Sequence, residues 1–120
     1  MKINNKLLTN NKFNYATVNS AYFSGGVVVW ARIGNIVLVE INNLAVSTAV
    51  PDHNSLVASG LPKCETGMNF FVFKNGTTDK ARLKIINSGN EGQIQTHYSS
   101  GMAASGTQQW YGSMWYITND

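Results

Sequence analysis

Apolar residues are grouped along the chain in short β-branched and aromatic runs, and turn residues separate one run from the next. Three of the separating turns combine Gly with Asn or Ser, which accept the backbone angles of tight hairpins; they lie at 34–35, 75–76 and 88–92. No window repeats apolar residues at helical spacing for more than one turn. Short strands with turns roughly every ten residues predict an all-β fold, an antiparallel β-sandwich of jelly-roll or barrel-like form.

Three of the predicted strands carry apolar residues on both faces; they lie at 36–41, 70–73 and 110–117. A strand with one solvated face alternates between apolar and polar residues instead. In the last strand the two faces consist of Tyr111, Trp115 and Ile117 and of Trp110, Met114 and Tyr116. A single small sandwich has only one interior, so the second apolar faces predict contacts with other subunits or with a ligand.

The length of the chain sets its domain organisation. Its 120 residues suffice to bury one core and leave no room for a second. Residues 1–20 differ from the rest because they contain six asparagines and three lysines among scattered apolar residues. We interpret residues 1–20 as an Asn- and Lys-rich leader, which is a neck, a linker or one leading element. Residues 21–120 are then the β-sandwich head.

The charge of the chain is concentrated in the leader. The formal net charge is +3, and Lys2, Lys6 and Lys12 supply all of the excess, because the remaining six Lys and Arg balance six acids. A head with zero net charge has no global field that attracts phosphate, so nucleic acid is not an expected partner. Only 12% of the residues are charged, and uncharged polar residues replace them, which suits an extracellular or virion surface.

Targeting and cofactor signals are missing from the sequence. The first 13 residues contain lysine but no continuous apolar segment, so they do not form a secretory signal peptide. The longest apolar run, 27–31, is too short to span a bilayer, and membrane insertion is not expected. Cys64 is the single cysteine and the chain has two histidines, which excludes an intrachain disulfide and gives few metal ligands. We expect no metal and no cofactor.

Asp52, His53 and Ser55 suggest a hydrolase, but they also form a Pro-led turn in which Asp, Asn and Ser bond the backbone. A catalytic triad depends on geometry that neighbouring positions in the sequence do not supply. A glycosidase needs two carboxyl groups at a defined separation, and the six acids are scattered without a preferred pair. We therefore expect no catalytic residues and no enzymatic activity.

The last strand supplies three candidates for saccharide binding. Trp110 and Tyr111 follow the small-residue loop 99–107, and binding groups concentrate at strand ends near loops. An aromatic ring there is suited to stack on a sugar face, while Gln109 supplies hydrogen bonds. Trp115 and Tyr116 lie in the middle of the strand, so we expect them in the core or at a subunit interface.

Arg82 and His97 complete the set of candidates. Arg82 and Lys84 alternate with Leu83 and Ile85, which is typical of the solvent face of a strand. Both cations are able to form charge-assisted hydrogen bonds to an acidic glycan. His97 lies late in its strand, as a surface or packed side chain that is able to contact a ligand.

Four stretches resemble, in this order, the C-terminal head domain of tail-fibre and baseplate receptor-binding proteins from phages and prophages of Gram-positive bacteria. They are WARIGNIVLVEINN at 30–43, LVASGLPKC at 56–64, ARLKIINSGNEGQI at 81–94 and WYGSMWYIT at 110–118. The resemblance covers about residues 26–118, with GLPK and the closing YIT as its most recognisable parts. The chain differs from the family at Cys64, where similar sequences often have a second proline, and its leader does not resemble the family's long shaft.

The resemblance implies a β-sandwich homotrimer at the tail tip or baseplate of a virion. Such a head attaches to a bacterial host by recognising its cell-wall or capsular saccharide, often near subunit boundaries, without catalysis. Other tail and baseplate proteins are implied as partners. Two alternatives stay open: a trimerising tip domain that has no ligand, and a polysaccharide depolymerase subunit whose site is completed across subunits.

Overall fold

The computed structural model describes residues 13–76, 79–97 and 109–119. These residues form nine strands: β1 Asn14–Tyr15, β2 Thr17–Val18, β3 Phe23–Ile33, β4 Ile36–Val46, β5 His53–Leu61, β6 Met68–Asn75, β7 Asp79–Ser88, β8 Glu91–His97 and β9 Gln109–Ile117. The same residues include no helix that is long and apolar enough to cross a membrane. The predicted all-β class is confirmed.

The strands hydrogen-bond in one antiparallel sheet of order β1-β3-β4-β9-β6-β7-β8-β5-β2. The two ends of this order are consecutive in the chain, because β1 and β2 are separated only by Ala16. β1 pairs with β3, and β2 pairs with β5 on the other side. The segment Asn14–Val18 therefore connects both edges, and the sheet is nearly closed into a barrel.

This connection places part of the expected leader inside the fold. The backbone N–H of Ala16 donates to the carbonyl of Val28 at 2.8 Å, and that of Asn19 donates to the carbonyl of Val57 at 2.9 Å. Residues 14–18 are thus part of the sheet and not of a separate leader. The earlier part of the predicted leader, residues 1–12, lies outside the described residues.

The predicted turns lie where the glycines indicated. Gly34 has a φ of 60° and joins β3 to β4 through a two-residue loop. Gly89, with a φ of 61°, does the same between β7 and β8. Both angles are in the left-handed region, where a glycine avoids the steric cost that a Cβ would add.

The inward faces of the strands form the core, and the predicted division of each strand into two faces is correct. Val37, Val39 and Ile41 of β4 are buried, whereas Ile36 is exposed. In β6 the buried side chains are Phe71 and Phe73, and the exposed ones are Phe70 and Val72. Tyr116 is buried in β9, as expected for a core position. The remaining apolar side chains point outward and are available to a surface site.

Candidate functional site

Trp110 lies in the core, and the prediction that its ring stacks on a sugar is wrong. The side chain is 0% exposed. Its ring centroid lies 4.5 Å from that of Phe73 and 5.0 Å from that of Phe23. The indole has its neighbours inside the barrel, so it presents no face to a ligand.

The alternation of β9 already contained the signal that Trp110 is buried. Trp110 occupies the same set of alternate positions as Met114 and Tyr116, and this set faces inward. Proximity to the loop 99–107 favoured exposure in the sequence analysis, but a strand-end residue on the inward face still packs into the core. The loop itself lies outside the described residues.

Gln109 and Tyr111 lie on the outward face of β9. The Tyr111 hydroxyl donates a hydrogen bond of 2.8 Å to Oε1 of Gln109. Tyr111 is opposite Lys74 in the pairing of β9 with β6. These two predicted residues are therefore close to each other, but the tryptophan that they were expected to assist faces away from them.

Arg82 and His97, the other two predicted residues, meet at the ring of Phe70 on the outer surface of β6, β7 and β8. The Phe70 side chain is 45% exposed. The guanidinium carbon of Arg82 lies 5.8 Å from its ring centroid, within the range of a cation–π contact. The His97 ring lies 4.5 Å from it, centroid to centroid, with an angle of 39° between the planes. Phe70 was not selected from the sequence as a ligand contact.

The prediction that Lys84 lies on the solvent face of its strand is wrong, because this outward side chain is buried. It is only 5% exposed, and its Nζ donates a hydrogen bond to Oδ1 of Asn54 on β5. Asn54 has a φ of 56°, a left-handed conformation that asparagine tolerates better than most residues. Asn54 of β5, which is distant in the sequence, thus covers Lys84, a position that strand alternation assigned to solvent.

Asn54 also contacts His53. Lysine only donates, so the amide oxygen of Asn54 must face Lys84 and the amide nitrogen must point the other way. That nitrogen lies 3.0 Å from Nε2 of His53, so Asn54 connects Lys84 to His53.

We call the six residues Phe70, Arg82, Lys84, His53, Asn54 and His97 the basic aromatic cluster. The rings of His53 and His97 are 5.9 Å apart, which connects the two halves of this cluster across the pairing of β5 with β8. The pKa of His97 lies below 6.5, first because partial burial disfavours the charged ring and then because Lys84, Arg82 and His53 repel a proton.

A second outward surface lies on β3, β4 and β9, and we call it the apolar outer face. Trp115 is 60% exposed there, so the expected core position is excluded and an interface position is still open. Ile36 and Val27 are also exposed on these strands. A shallow cleft of about 170 Å³ lies beside Trp115 and is lined by Val29, Leu38, Val39, Glu40, Ser113, Met114 and Trp115.

The described residues do not assemble the ligands that a metal site needs. In these ranges no group of three or more His, Cys, Asp and Glu side chains is placed to hold a metal ion. Of the suggested hydrolase residues, His53 belongs to the basic aromatic cluster, and the backbone N–H of Ser55 donates to Oγ1 of Thr96 at 2.9 Å. The arrangement is suited to binding through hydrogen bonds, charge and an aromatic surface.

No family model, no curated protein and no solved structure matches the chain. The functional proposal therefore depends on the chain's own residues and on the resemblance of its four stretches.

Proposed function

We propose that the chain is the receptor-binding head of a phage or prophage tail protein and that it binds host cell-surface saccharide without catalysis. The observation that carries this proposal is the exposed ring of Phe70, which Arg82 and His97 flank at 5.8 and 4.5 Å. Two residues chosen from the sequence as saccharide contacts thus lie beside one exposed aromatic ring.

The geometry of the basic aromatic cluster is suited to a sugar. An aromatic ring offers a flat apolar surface to the C–H face of a sugar, and polar groups at its border bond the hydroxyls. Phe70 supplies the apolar surface, and the guanidinium of Arg82 supplies donors in a fixed planar arrangement. Preformed strands hold these groups, since Phe70 is opposite Lys84 and Val72 is opposite Arg82 in the pairing of β6 with β7.

The proposal includes a homotrimer on the virion, attached to other tail or baseplate proteins. Its support is the apolar outer face, where Trp115, Ile36 and Val27 are exposed on neighbouring strands. Exposed apolar surface of this kind is typical of protein contacts. The trimer would cover the apolar outer face and leave the basic aromatic cluster, on the opposite strands, to the host.

Phe70→Ala tests the saccharide site, with Met68→Ala as the matched control. Met68 is also exposed on the outward face of β6, so its truncation removes similar apolar surface beside the site. We expect Phe70→Ala to weaken binding to a glycan array and to Gram-positive cells about tenfold, a change of roughly 1.4 kcal/mol, without lowering the melting temperature. Met68→Ala should bind as the wild-type protein does.

The two alternative functions give different results in the same assays. A trimerising tip without a ligand would bind no glycan and no cells, in wild-type or variant form. A depolymerase subunit would release new reducing ends from host polysaccharide. Equal binding by the wild-type protein and Phe70→Ala would move the saccharide site away from this cluster.

A further inference from the structure

We infer that the saccharide bound by the basic aromatic cluster carries an anionic group, a phosphate or a carboxylate, next to the sugar ring that covers Phe70. This inference rests on the proposed saccharide-binding function and specifies its ligand. The feature that leads to it is the burial of Lys84 beside an uncharged partner.

Lys84 is buried, and its hydrogen-bond partner is uncharged. Its Nζ bonds the neutral amide oxygen of Asn54, and no carboxylate of the described side chains forms an ion pair with it. Burying an ammonium group without a counter-ion is unfavourable, and proteins usually place an acid beside it. An external anion bound nearby would supply the opposite charge that the described side chains around Lys84 do not.

The second cation defines where that anion would bind. Arg82 is exposed on the same outward face of β7, two residues before Lys84, with its guanidinium over the Phe70 ring. A guanidinium bonds phosphate and carboxylate through two parallel N–H groups. We therefore assign direct contact with the anion to Arg82, and to Lys84 a contribution through its electric field from below the surface.

The remaining members of the cluster add no opposing charge. The imidazoles of His53 and His97 are neutral or positive and never negative, and Asn54 and Phe70 are uncharged. A sugar seated on Phe70 with its anionic substituent toward Arg82 would meet cationic and neutral groups of this cluster.

Three sugars that differ only at C6 test the inference: glucose, glucose 6-phosphate and glucuronic acid, with inorganic phosphate as a fourth probe. The two histidines of the chain both belong to the cluster, so their C–H proton resonances in NMR report on this site alone. We expect the charged sugars to shift these resonances with an affinity about tenfold or more above that of glucose. The stronger of the two charged sugars identifies phosphate or carboxylate as the natural group.

Arg82→Gln should reduce the preference for charged sugars to near unity, because the charged sugars lose a charge-assisted contact whereas glucose loses only hydrogen bonds to its hydroxyls. Lys74→Gln is the matched control, because it removes the same charge from an exposed outward position on β6, opposite Tyr111. Lys84→Met, which keeps the apolar part of the side chain, should reduce the preference without abolishing binding.

Equal affinity for glucose and both charged sugars would overturn the inference. An equal loss of the preference for charged sugars in Lys74→Gln and Arg82→Gln would overturn it as well. An affinity for inorganic phosphate equal to that for glucose 6-phosphate would also overturn it, since the sugar would then contribute nothing. In each of these three cases, host-cell binding that Phe70→Ala weakens about tenfold would leave the proposed receptor-binding function standing. A wild-type protein that binds neither cells nor any sugar would refute the proposed function itself.

Discussion

The hydroxyl group of Tyr116 donates a hydrogen bond of 2.7 Å to the backbone carbonyl of Pro62, across 54 residues of sequence. This bond fastens the end of β9 to the segment that follows β5. The same carbonyl faces Gly92 at the start of β8, where an added Cβ would lie 2.4 Å from the oxygen. One carbonyl thus joins three parts of the chain, and two of the recognisable stretches, GLPK and YIT, lie at this junction.

We predict that Gly92→Ala destabilises the domain. The added methyl group would collide with backbone, which cannot move aside as a flexible side chain can, so we expect a loss of roughly 1–3 kcal/mol in the free energy of unfolding. Gly25→Ala is the control, because its Cβ would meet that of Ala45 at 3.8 Å, an ordinary contact. Urea denaturation of both variants measures the difference, and equal stabilities would contradict the prediction.

We predict that Trp110→Ala is among the most destabilising substitutions in the chain. The indole is enclosed between Phe23 and Phe73, and truncating a core Trp typically costs about 3–5 kcal/mol. Trp115→Ala removes the same side chain from an exposed position and should leave the stability of the isolated subunit nearly unchanged. Denaturant unfolding below the concentration of any assembly separates the two cases. A stable Trp110→Ala variant would show that the ring is not a core element.

We predict that the domain loses stability as the pH falls below about 6.5, the ordinary pKa of histidine. The pKa of His97 is lowered in the folded state by partial burial and by Lys84, Arg82 and His53, so the unfolded chain takes up the proton first. The stability is therefore highest when the pH lies above the pKa of His97 in the unfolded chain. It decreases as the pH falls toward the lower pKa of His97 in the folded domain. His97→Gln should flatten this decrease in urea midpoints between pH 8 and pH 5. A variant with the same pH dependence as the wild type would exclude His97 as its source.

We predict that Trp115→Glu dissociates the proposed trimer. A carboxylate in the middle of the apolar outer face would lose its hydration in the interface, which is strongly unfavourable. Light scattering of the wild-type protein should give three times the subunit mass of 13.1 kDa. Light scattering of the variant should give the mass of a single subunit. Met68→Glu, on the other outer surface, should stay assembled. A wild-type subunit mass at micromolar concentration would contradict the trimer.

The sequence predicts the strands and their faces well because both depend on local information. Turn residues at 34–35 and 88–92 end the strands, and alternation separates Phe71 and Phe73 from Phe70 and Val72. These features follow from backbone sterics and from the two-residue repeat of a strand. The class of fold and the inward set of side chains are therefore accessible without a structure.

The site was only partly predictable because it depends on distant segments. Lys84 is buried since β5 brings Asn54 over it from 30 residues away, and β5 pairs with β8 through several register shifts. Such shifts are not encoded in any local pattern. Arg82 and His97 were chosen for their chemistry, but their common neighbour Phe70 follows only from the pairing of β6, β7 and β8.

The closure of the sheet by Asn14–Val18 restricts the way in which this domain meets other molecules. An open sheet exposes unpaired N–H and C=O groups along its border, and foreign strands extend it by joining there. Here the bordering strands are two residues long each and belong to one continuous segment. An incoming chain would find few free backbone groups on these two strands. We therefore expect recognition to depend on outward side chains, whose substitution leaves the sheet unchanged.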